Sequence, residues 1–235
     1  MLNNNSIKKV SIIMSVFNDQ NRVAASIESI LKQTFFDFEF LIINDGSKDK
    51  TNEVLDYYKN IDSRIRVFKN INNIGLTKSL NLLISKTATN FVARQDSDDT
   101  STKNRIEIQY EFLKKHHRYD FCVSRAKINN TQKLIPGKSF FLPKKILINF
   151  KNPFIHGTLM IRKNSLKKLG YYDENFIYSQ DYKLFKDALL NNMKFKYFTK
   201  PLYNLNTTNN ISINKAHEQK YYAECVKKNL TPNKI

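Results

Sequence analysis

The first hundred residues alternate short apolar runs with segments of helical periodicity. The runs at 9–17 and 38–45 are apolar almost throughout and rich in β-branched residues, so they predict strands that are buried on both faces. The segments at 23–33 and 51–60 have the spacing of amphipathic helices. Because strands that alternate with helices of this length form β-α-β units, we expect an α/β fold with a mostly parallel sheet flanked by helices.

The alternation continues to residue 100 and then changes. A strand at 64–70, a helix at 76–87 and a strand at 90–96 complete the regular part. Beyond residue 100 the order of elements is mixed, so the chain divides there into two halves. The elements predicted for the second half are helices at 102–116, 164–170, 179–192 and 214–229, strands at 120–128 and 156–163, and two short strands within 194–206.

Polar side chains follow each of the first four predicted strands. In open α/β sheets ligands bind at the carboxyl ends of the strands, so four polar strand ends predict a binding site along one edge. The alternative is that each cluster is simply a polar loop. The clusters are Asn18 and Asp19, Asn44 and Asp45, Asn70 to Asn73, and Asp96 to Asp99.

The stretch "ARQDSDD" places Asp96, Asp98 and Asp99 directly after the fourth predicted strand. Carboxylate oxygens are the ligands that magnesium and manganese prefer, and a D-x-D pair leaves coordination positions open for a diphosphate. The other interpretation is a solvated turn that caps the next helix. The stretch by itself does not decide between them.

A second candidate is Asp181 in "YSQDYKLF", at the start of a predicted helix. A carboxylate in a site of this kind can act as a general base on a hydroxyl group. The same position also suits a carboxylate that is merely stabilised by the helix dipole.

The formal charge of +18 indicates an anionic partner, which can be nucleic acid, a phosphorylated substrate or an acidic membrane surface. Between Phe121 and Tyr172 there are 11 Lys or Arg residues and no Asp or Glu. We hypothesise that this basic stretch faces an anionic membrane or an anionic acceptor, with the amphipathic run Phe140 to Phe150 inserting its apolar side. Generic solvated lysines are the alternative.

Several classes of site are excluded by their missing motifs. There is no G-x-G-x-x-G, P-loop, H-E-x-x-H, C-x-x-C or G-x-S-x-G pattern. The two cysteines, Cys122 and Cys225, are expected to be reduced thiols in a cytosolic protein. No apolar stretch is long enough to span a bilayer, and the N-terminal sequence lacks a signal core, so we expect no secretion.

Six blocks of the sequence, in this order, carry a family resemblance. They are "VSIIMSVFN", "LIINDGSKDKT", "NNIGLTKSLN", "ARQDSDD", "HGTLMIRK" and "YYDENFIYSQDYKLF". Together they resemble the inverting family 2 glycosyltransferases of bacterial surface-polysaccharide synthesis, over residues 9 to 212. The resemblance implies a GT-A fold, with a nucleotide-sugar-binding half at 1–100 and an acceptor-binding half with a C-terminal helical tail at 101–235.

The resemblance also implies a role for each matching residue. Asp98 should be the principal metal ligand, with Asp96 beside it, for Mn²⁺ or Mg²⁺ bound with the donor diphosphate. Asp181 should be the catalytic base, and His156 and Gln180 should lie on the acceptor side. The residues implied to bind the nucleotide or the donor sugar are Ser15, Val16, Phe17, Asn18, Asp45, Gly75, Asp96 and Asp99.

Two positions depart from the family pattern. Gln180 stands where relatives carry the first acid of an E-D pair, so the base lacks its charged neighbour. Asn204 and Asn206 lie in the segment where many relatives carry a histidine, which puts a further metal ligand in doubt. His156 can alternatively be a satisfied, partly buried histidine.

The function implied is transfer of a hexose or N-acetylhexosamine from a nucleoside-diphosphate sugar, with UDP as the expected nucleotide, to a glycan or lipid-linked glycan. We expect a cytoplasmic enzyme, peripheral on the inner face of the membrane, that binds no nucleic acid. Three alternatives stay open. A nucleic-acid-binding protein leaves the carboxylates unexplained, a nucleotidyltransferase needs a glycine-rich basic loop after the first strand, and a non-catalytic relative fits the two departures.

Overall fold

The computed structural model describes residues 8–207 and 215–233. Two parts of the sequence on which expectations were based lie outside the described residues. They are the N-terminal residues 1–7, and residues 208–212 of the segment that lacks the family histidine.

The first half of the chain forms the predicted β-α-β units. The strands β1 Val10–Val16, β2 Phe38–Asn44, β3 Ile65–Lys69 and β4 Phe91–Arg94 alternate with the helices α1 Val23–Leu31, α2 Thr51–Ile61 and α3 Leu76–Lys86. The four strands are parallel in the order β3-β2-β1-β4. Almost every side chain of β1 and β2 is buried, because helices and loops cover both faces of the sheet.

The second half extends the same sheet. Its strands are β5 Thr100–Ser101, β6 Phe121–Ile128, β7 Leu134–Ile135, β8 Met160–Arg162 and β9 Phe195–Leu205, and its helices are α4 Arg105–Lys115, α5 Lys144–Leu147, α6 Lys163–Lys168, α7 Gln180–Leu190 and α8 Ala216–Lys228. Strand β8 lies antiparallel between β4 and β6, and β9 runs parallel to β6. The described strands are therefore ordered β3-β2-β1-β4-β8-β6-β9-β5, with β7 paired to β6.

The short elements β5, β7 and α5 were not predicted from the sequence, and two predicted segments of the second half differ from the structure. The two short strands expected within 194–206 form one strand, because Arg125 of β6 pairs with Pro201 while Ser124 pairs with Phe198. The additional residues of β9 form an irregularity that accommodates a proline in the strand. The strand expected at 156–163 is shortened to β8, since a 3₁₀ turn at His156–Thr158 precedes it.

Two apolar clusters make up the core, and each contains residues from both halves of the chain. One includes Ile13 and Leu41 together with Phe121 and Phe185. The other includes Val10 and Phe40 together with Cys122 and Met160. Both cysteines are buried free thiols. In the described ranges no helix combines the length and the apolar character needed to cross a membrane.

Candidate active site

A cleft of about 360 Å³ opens at the carboxyl end of β4. It brings together three carboxylates that follow β4 and the carboxylate of Asp181 at the start of α7, which is more than 80 residues later in the sequence. His156 and Gly157 of the 3₁₀ turn before β8 border it. The side chains that line the cleft belong to Asp96, Asp98, Asp99, Ile135, Phe154, Ile155, His156, Asp181, Leu205 and Asn206.

Asp96 is paired with a buried arginine. Arg94, whose side chain is 1% exposed, donates from Nη2 to Asp96 Oδ1 and from Nη1 to the carbonyl oxygens of Ile13 and Gln95, at 3.2 and 2.8 Å. The backbone N–H of Asp96 donates to Tyr203 Oη of β9 at 3.0 Å. A buried guanidinium needs an anionic partner, and Asp96 supplies it. The two carbonyl oxygens satisfy Nη1, whereas Nε of Arg94 is buried without a hydrogen-bond partner among the described residues. The position of Asp96 is therefore fixed from two sides.

We call residues 96–99, which carry the three carboxylates after β4, the acidic loop. Arg105, at the start of α4, forms hydrogen bonds next to this loop. It is fully buried, and burial lowers its pKa to about 10. Its Nη2 donates to the carbonyl of Arg94 at 2.6 Å, and its Nη1 donates to Gln95 Oε1 and Ser101 Oγ at 3.1 and 2.8 Å. The loop that carries the carboxylates is thus held by hydrogen bonds on the side away from the cleft.

Asp98 lies in a cluster of carboxylates with only partial compensation. Burial raises its pKa to about 6, and the charge of Asp96 adds to this effect, while Arg22 opposes it with Nη1 3.6 Å from Asp98 Oδ2. Arg22 also forms an ion pair with the buried Asp19. Ser97 Oγ donates to Asp19 Oδ2 at 2.6 Å, which links the acidic loop to the end of β1.

Asp99 is 3% exposed and points toward β9. Its Oδ1 accepts a hydrogen bond from the backbone N–H of Asn206 at 2.7 Å. Burial raises the pKa of Asp99 well above its usual range, and the charges of Asp96 and Asp98 add to the effect. Protein groups alone therefore leave the acidic loop short of positive charge.

This donor set fits a divalent cation that is shared with a ligand. Among residues 8–207 and 215–233 no group of three or more His, Cys, Asp or Glu side chains is arranged to hold a metal by itself. Magnesium and manganese are commonly held by one or two carboxylates together with phosphate oxygens. Asp96 and Asp98 offer such oxygens at the cleft, and the raised pKa of Asp98 is the effect that a bound cation would reverse.

Asp181 occupies the second position of α7 and faces the cleft. Its Oδ2 accepts a hydrogen bond from Asn152 Nδ2 at 2.8 Å, and the orientation of that amide is set because Asn152 Oδ1 accepts from the N–H of Phe154 at 3.0 Å. Desolvation raises the pKa of Asp181, and Asp96 adds to the shift. Gln180, the departure from the E-D pair, is buried beside it. A carboxylate with a raised pKa and a fixed orientation is suited to proton transfer.

His156 borders the same cleft and bonds to one tyrosine. Its Nε2 is 2.7 Å from the hydroxyl of Tyr172. Burial lowers the pKa of His156 well below its usual range, and the neighbouring Arg94 acts in the same direction, whereas burial raises the pKa of Tyr172. A neutral imidazole that accepts from a protonated tyrosine satisfies both groups. This is the partly buried histidine considered from the sequence, and it nevertheless faces the cleft.

Asp45 binds the loop that leads into α3. Its Oδ1 accepts from Asn70 Nδ2 and from the N–H of Ile74, at 2.7 and 3.0 Å, and its Oδ2 accepts from the N–H of Gly75 at 3.0 Å. Gly75 has a φ of +90°, a conformation that glycine adopts without strain. The buried carboxylate therefore shapes this strand end, and neither Asp45 nor Gly75 lines the cleft.

The residues that end β1 lie outside the lining of the cleft. Val16 is buried in the core, so only its backbone can face a ligand, and its carbonyl already accepts from the N–H of Asp45 at 2.8 Å. Phe17 and Asn18 are exposed, and Ser15 is half-buried. Asn18 joins the strand ends, since its N–H donates to Ser47 Oγ at 2.9 Å and its Oδ1 accepts from the N–H of Lys48 at 2.8 Å.

Sequence reasoning missed several residues that shape the site, and they include Arg22, Arg94, Arg105, Asn152, Gly157 and Tyr203. A Cβ at Gly157 would overlap the hydroxyl end of Tyr203 and would lie 2.6 Å from Asp96 Oδ2, so a side chain fits there only if these groups or the turn move. The charged residue inside the apolar run "FVAR" and the glycine of "HGT" were visible signals. Nothing in the sequence connected Asn152 to Asp181 or Tyr203 to Asp96.

Comparison with known proteins identifies the family. The model of the family described as "Glycosyl transferase family 2" matches residues 11–193. Similar proteins include WbnJ of Escherichia coli, named an O-antigen biosynthesis glycosyltransferase, at 34% identity over 74% of this chain and 69% of the relative. WfgD of Escherichia coli, named a UDP-Glc:α-D-GlcNAc-diphosphoundecaprenol β-1,3-glucosyltransferase, is 32% identical over 78% of this chain and 70% of the relative. EpsE of Bacillus subtilis (strain 168), named a putative glycosyltransferase, is 34% identical over 72% of this chain. The match covers 61% of the length of EpsE, so this chain spans less than two thirds of that relative.

Solved structures share the fold at lower identity. S. aureus TarS 1-349 in complex with UDP-GlcNAc superposes with a TM-score of 0.77 and 24% identity, over 93% of this chain and 65% of that one. Mannosyltransferase PcManGT of Pyrobaculum calidifontis, in complex with GDP-Man and Mn²⁺, gives a TM-score of 0.67 at 14% identity, over 86% of this chain and 57% of that one. These similarities confirm the expected GT-A fold, and with the family match they confirm the resemblance noted in the sequence. The chain belongs to glycosyl transferase family 2.

Proposed function

We propose that the protein transfers a hexose or N-acetylhexosamine from a nucleoside-diphosphate sugar, with UDP as the nucleotide, to a glycan or lipid-linked glycan in cell-surface polysaccharide synthesis. The observation that carries the proposal is the meeting of Asp96, Asp98 and Asp181 in one cleft at the carboxyl end of the sheet. Family membership supplies the class of reaction. The cleft is acidic although the chain carries a formal charge of +18, and this favours a metal-linked diphosphate over nucleic acid as the ligand.

The donor nucleotide is proposed to bind along the ends of β1 and β2. Ser15, Val16, Phe17 and Asn18 would present backbone and ring to the nucleoside, and Asp45 would hold the loop at Gly75 in place. Support comes from the relatives, since WfgD is named for a UDP-Glc donor and a TarS structure contains UDP-GlcNAc. In this proposal residues 1–100 form the donor half and residues 101–235 form the acceptor half.

The diphosphate is proposed to lie over the acidic loop. Asp98, with Asp96, would hold Mn²⁺ or Mg²⁺, which supplies neutralisation of the charge on the departing diphosphate when it is bound. Asp99 would lie beside the donor sugar. The PcManGT structure with GDP-Man and Mn²⁺ and the uncompensated charge of the loop support this assignment.

Asp181 is proposed as the base. Its carboxylate would take the proton of the acceptor hydroxyl while the hydroxyl oxygen bonds to the anomeric carbon and the bond from that carbon to the diphosphate oxygen breaks. This single displacement inverts the anomeric configuration and needs no covalent intermediate. His156 and Gln180 would border the acceptor, and the hydrogen bond from Asn152 would keep Asp181 aimed at it.

The proposal is tested with the purified chain and a panel of nucleotide sugars, with and without Mn²⁺. We expect metal-dependent binding of one donor by the wild type, loss of that binding in Asp98→Ala, and retained binding without turnover in Asp181→Asn. Asp56→Asn, an exposed carboxylate on α2, is the matched control and should behave as the wild type.

Two other results would contradict part or all of this proposal. Failure of the folded protein to bind any donor would leave the aspartate cluster as a structural turn and contradict the proposal. Binding without transfer to any acceptor would favour the non-catalytic relative that the Gln180 departure left open.

A further inference from the structure

Four large apolar side chains project into solvent from one short segment between β7 and β8. Phe141 is 80% exposed, Leu142 52%, Ile146 61% and Phe150 66%. We call these four residues the apolar edge. Single exposed apolar residues are ordinary on protein surfaces, but four within ten positions form a patch that is typical of an interaction site.

The apolar edge is held in place by the residues between its members. Lys144 is buried, and its Nζ donates to the carbonyl oxygens of Ser139, Phe140 and Leu142. The ring of Phe140 packs edge-on against Tyr197. The exposed rings therefore project from an anchored segment.

Helical turns continue from α5 to residue 151 and separate an inner from an outer side. Lys144 and Ile148, four residues apart, face inward, and Ile148 is 3% exposed. Ile146 and Phe150, also four residues apart, face outward, because the offset of two residues turns them to the opposite side of the helix. The segment is amphipathic in three dimensions as well as in sequence.

The surface around the apolar edge is cationic and lacks compensating acids. Lys138, Lys145 and Lys151 are exposed within or beside it. In the part of the chain that the structure describes, none of the 11 Lys and Arg residues between Phe121 and Tyr172 forms an ion pair with Asp or Glu. Lys145 instead donates to Asn192 Oδ1 at 3.1 Å.

The same segment adjoins the candidate active site at both of its ends. Ile135 before it and Phe154 after it line the cleft. The hydroxyl of Tyr182, the residue after Asp181, donates to the carbonyl of Ile148 at 2.7 Å. Whatever binds the apolar edge is therefore brought next to the mouth of the cleft.

We propose that the apolar edge and its lysines form a membrane-contact surface, which inserts the four apolar side chains at the headgroup level of a bilayer rich in anionic lipid. The exposed apolar side chains match the acyl boundary of such a bilayer, and the flanking lysines, which form no ion pair with Asp or Glu among the described residues, match its negative headgroups. The surface would place the cleft where a lipid-linked acceptor presents its glycan. The inference does not require the transferase activity, because lipid binding is measured without any donor.

The test is co-sedimentation with vesicles of equal parts phosphatidylcholine and phosphatidylglycerol, and with vesicles of phosphatidylcholine alone. We expect binding to the anionic vesicles that weakens as salt is added. The double variant Phe141→Ser, Phe150→Ser should lose most of it. The triple variant Lys138→Gln, Lys145→Gln, Lys151→Gln should lower the partition by about a hundredfold, since each cation near an anionic surface strengthens binding by roughly fivefold.

Matched variants elsewhere on the surface serve as controls. Phe36→Ser with Ile71→Ser removes two apolar side chains that are at least as exposed as Phe150, and Lys59→Gln, Lys86→Gln, Lys115→Gln removes the same charge. Both controls should bind as the wild type does, and circular dichroism should show all variants folded.

Three outcomes would overturn the proposal. The first is no binding of the wild type to anionic vesicles at low salt, and the second is unchanged binding after loss of Phe141 and Phe150. The third is a wild-type protein that binds no vesicle and elutes as a dimer, while the Phe141→Ser, Phe150→Ser variant elutes as a monomer. That result would make the surface a contact between copies of the chain.

Discussion

At the scale of single residues, the most consequential contact that only the structure revealed is the hydrogen bond from Asn152 to Asp181. The two residues are 29 positions apart, and neither belongs to a pattern that includes the other. The bond stabilises the carboxylate form of Asp181 and opposes the desolvation that raises its pKa. Asn152 thereby acts on the proposed base as a positioning residue.

Removing that bond should change the pH dependence of the reaction. A base must be ionised to accept a proton, so kcat/KM should fall at acidic pH as Asp181 is protonated. Because the pKa of Asp181 is raised, the midpoint of this acidic limb of the pH profile should lie above the ordinary carboxyl value of 3.8. In Asn152→Ala this limb should move to still higher pH. The rate on the plateau should fall about ten- to hundredfold, as expected for loss of a hydrogen bond to a charged group. Asn149→Ala is the control, and an unshifted limb would assign Asn152 a purely structural role.

Gly157 is expected to tolerate no side chain. In Gly157→Ala the new Cβ would overlap the hydroxyl end of Tyr203 and would lie 2.6 Å from Asp96 Oδ2, so the tyrosine, the carboxylate or the turn must move. We expect a loss of about 1–3 kcal/mol in the free energy of unfolding, measured with urea, together with weaker metal-dependent donor binding. Wild-type stability and wild-type donor affinity in this variant would show that the turn relaxes without disturbing Asp96.

His156 should make stability depend on pH. Its pKa is lowered by burial in the folded state, so the unfolded chain binds more protons below the ordinary value of 6.5. The contribution of His156 to folding stability is complete above that value and falls as the pH drops toward its folded pKa. The loss in this window is limited to about 1.4 kcal/mol per pH unit for one proton. The difference in unfolding free energy between wild type and His156→Gln should shrink from pH 8 to pH 5, and a constant difference would contradict the assignment.

At the scale of elements, β9 does more than extend the sheet. Tyr203 accepts from the N–H of Asp96, and the N–H of Asn206 just beyond the strand donates to Asp99. The sequence suggested two short strands here, and Pro201 lies within the segment. A single strand forms because the irregular pairing with β6 accommodates the proline, and only then does Tyr203 reach the loop.

Tyr203→Phe tests this role of β9. The variant leaves the N–H of Asp96 without its acceptor, which should cost about 1–3 kcal/mol of stability and increase amide hydrogen exchange at residues 96–99. Tyr197→Phe on the same strand removes a hydroxyl that donates to the carbonyl of Pro153 at 3.1 Å, and it should leave that exchange unchanged. Equal exchange at 96–99 in both variants would mean that β9 does not hold the loop.

At the scale of the whole molecule, the halves divided at residue 100 share one sheet and both core clusters. If residues 1–100 were separated from the rest of the chain, strand β4 would lose its pairing with β8. The apolar surface around Ile13 and Val10 would then be exposed. We expect that fragment to be unfolded by circular dichroism, and the full chain to unfold in urea with coincident fluorescence and circular-dichroism transitions. A folded fragment would show that the donor half is an independent domain.

The sequence by itself determined the order of the elements in the first half, the α/β class and the family, because apolar periodicity, strand-end polarity and six ordered blocks are local signals. It also selected Asp96, Asp98, Asp99, Asp181 and His156, which the structure brings to one cleft. Only the tertiary structure decided what these groups touch. The buried Arg94, the amide of Asn152 and the hydroxyl of Tyr203 reach the cleft through pairings between distant segments. The pKa values of Asp98, Asp99 and Asp181 are raised by desolvation and by neighbouring carboxylates. Both effects exist only after the chain has closed around these residues.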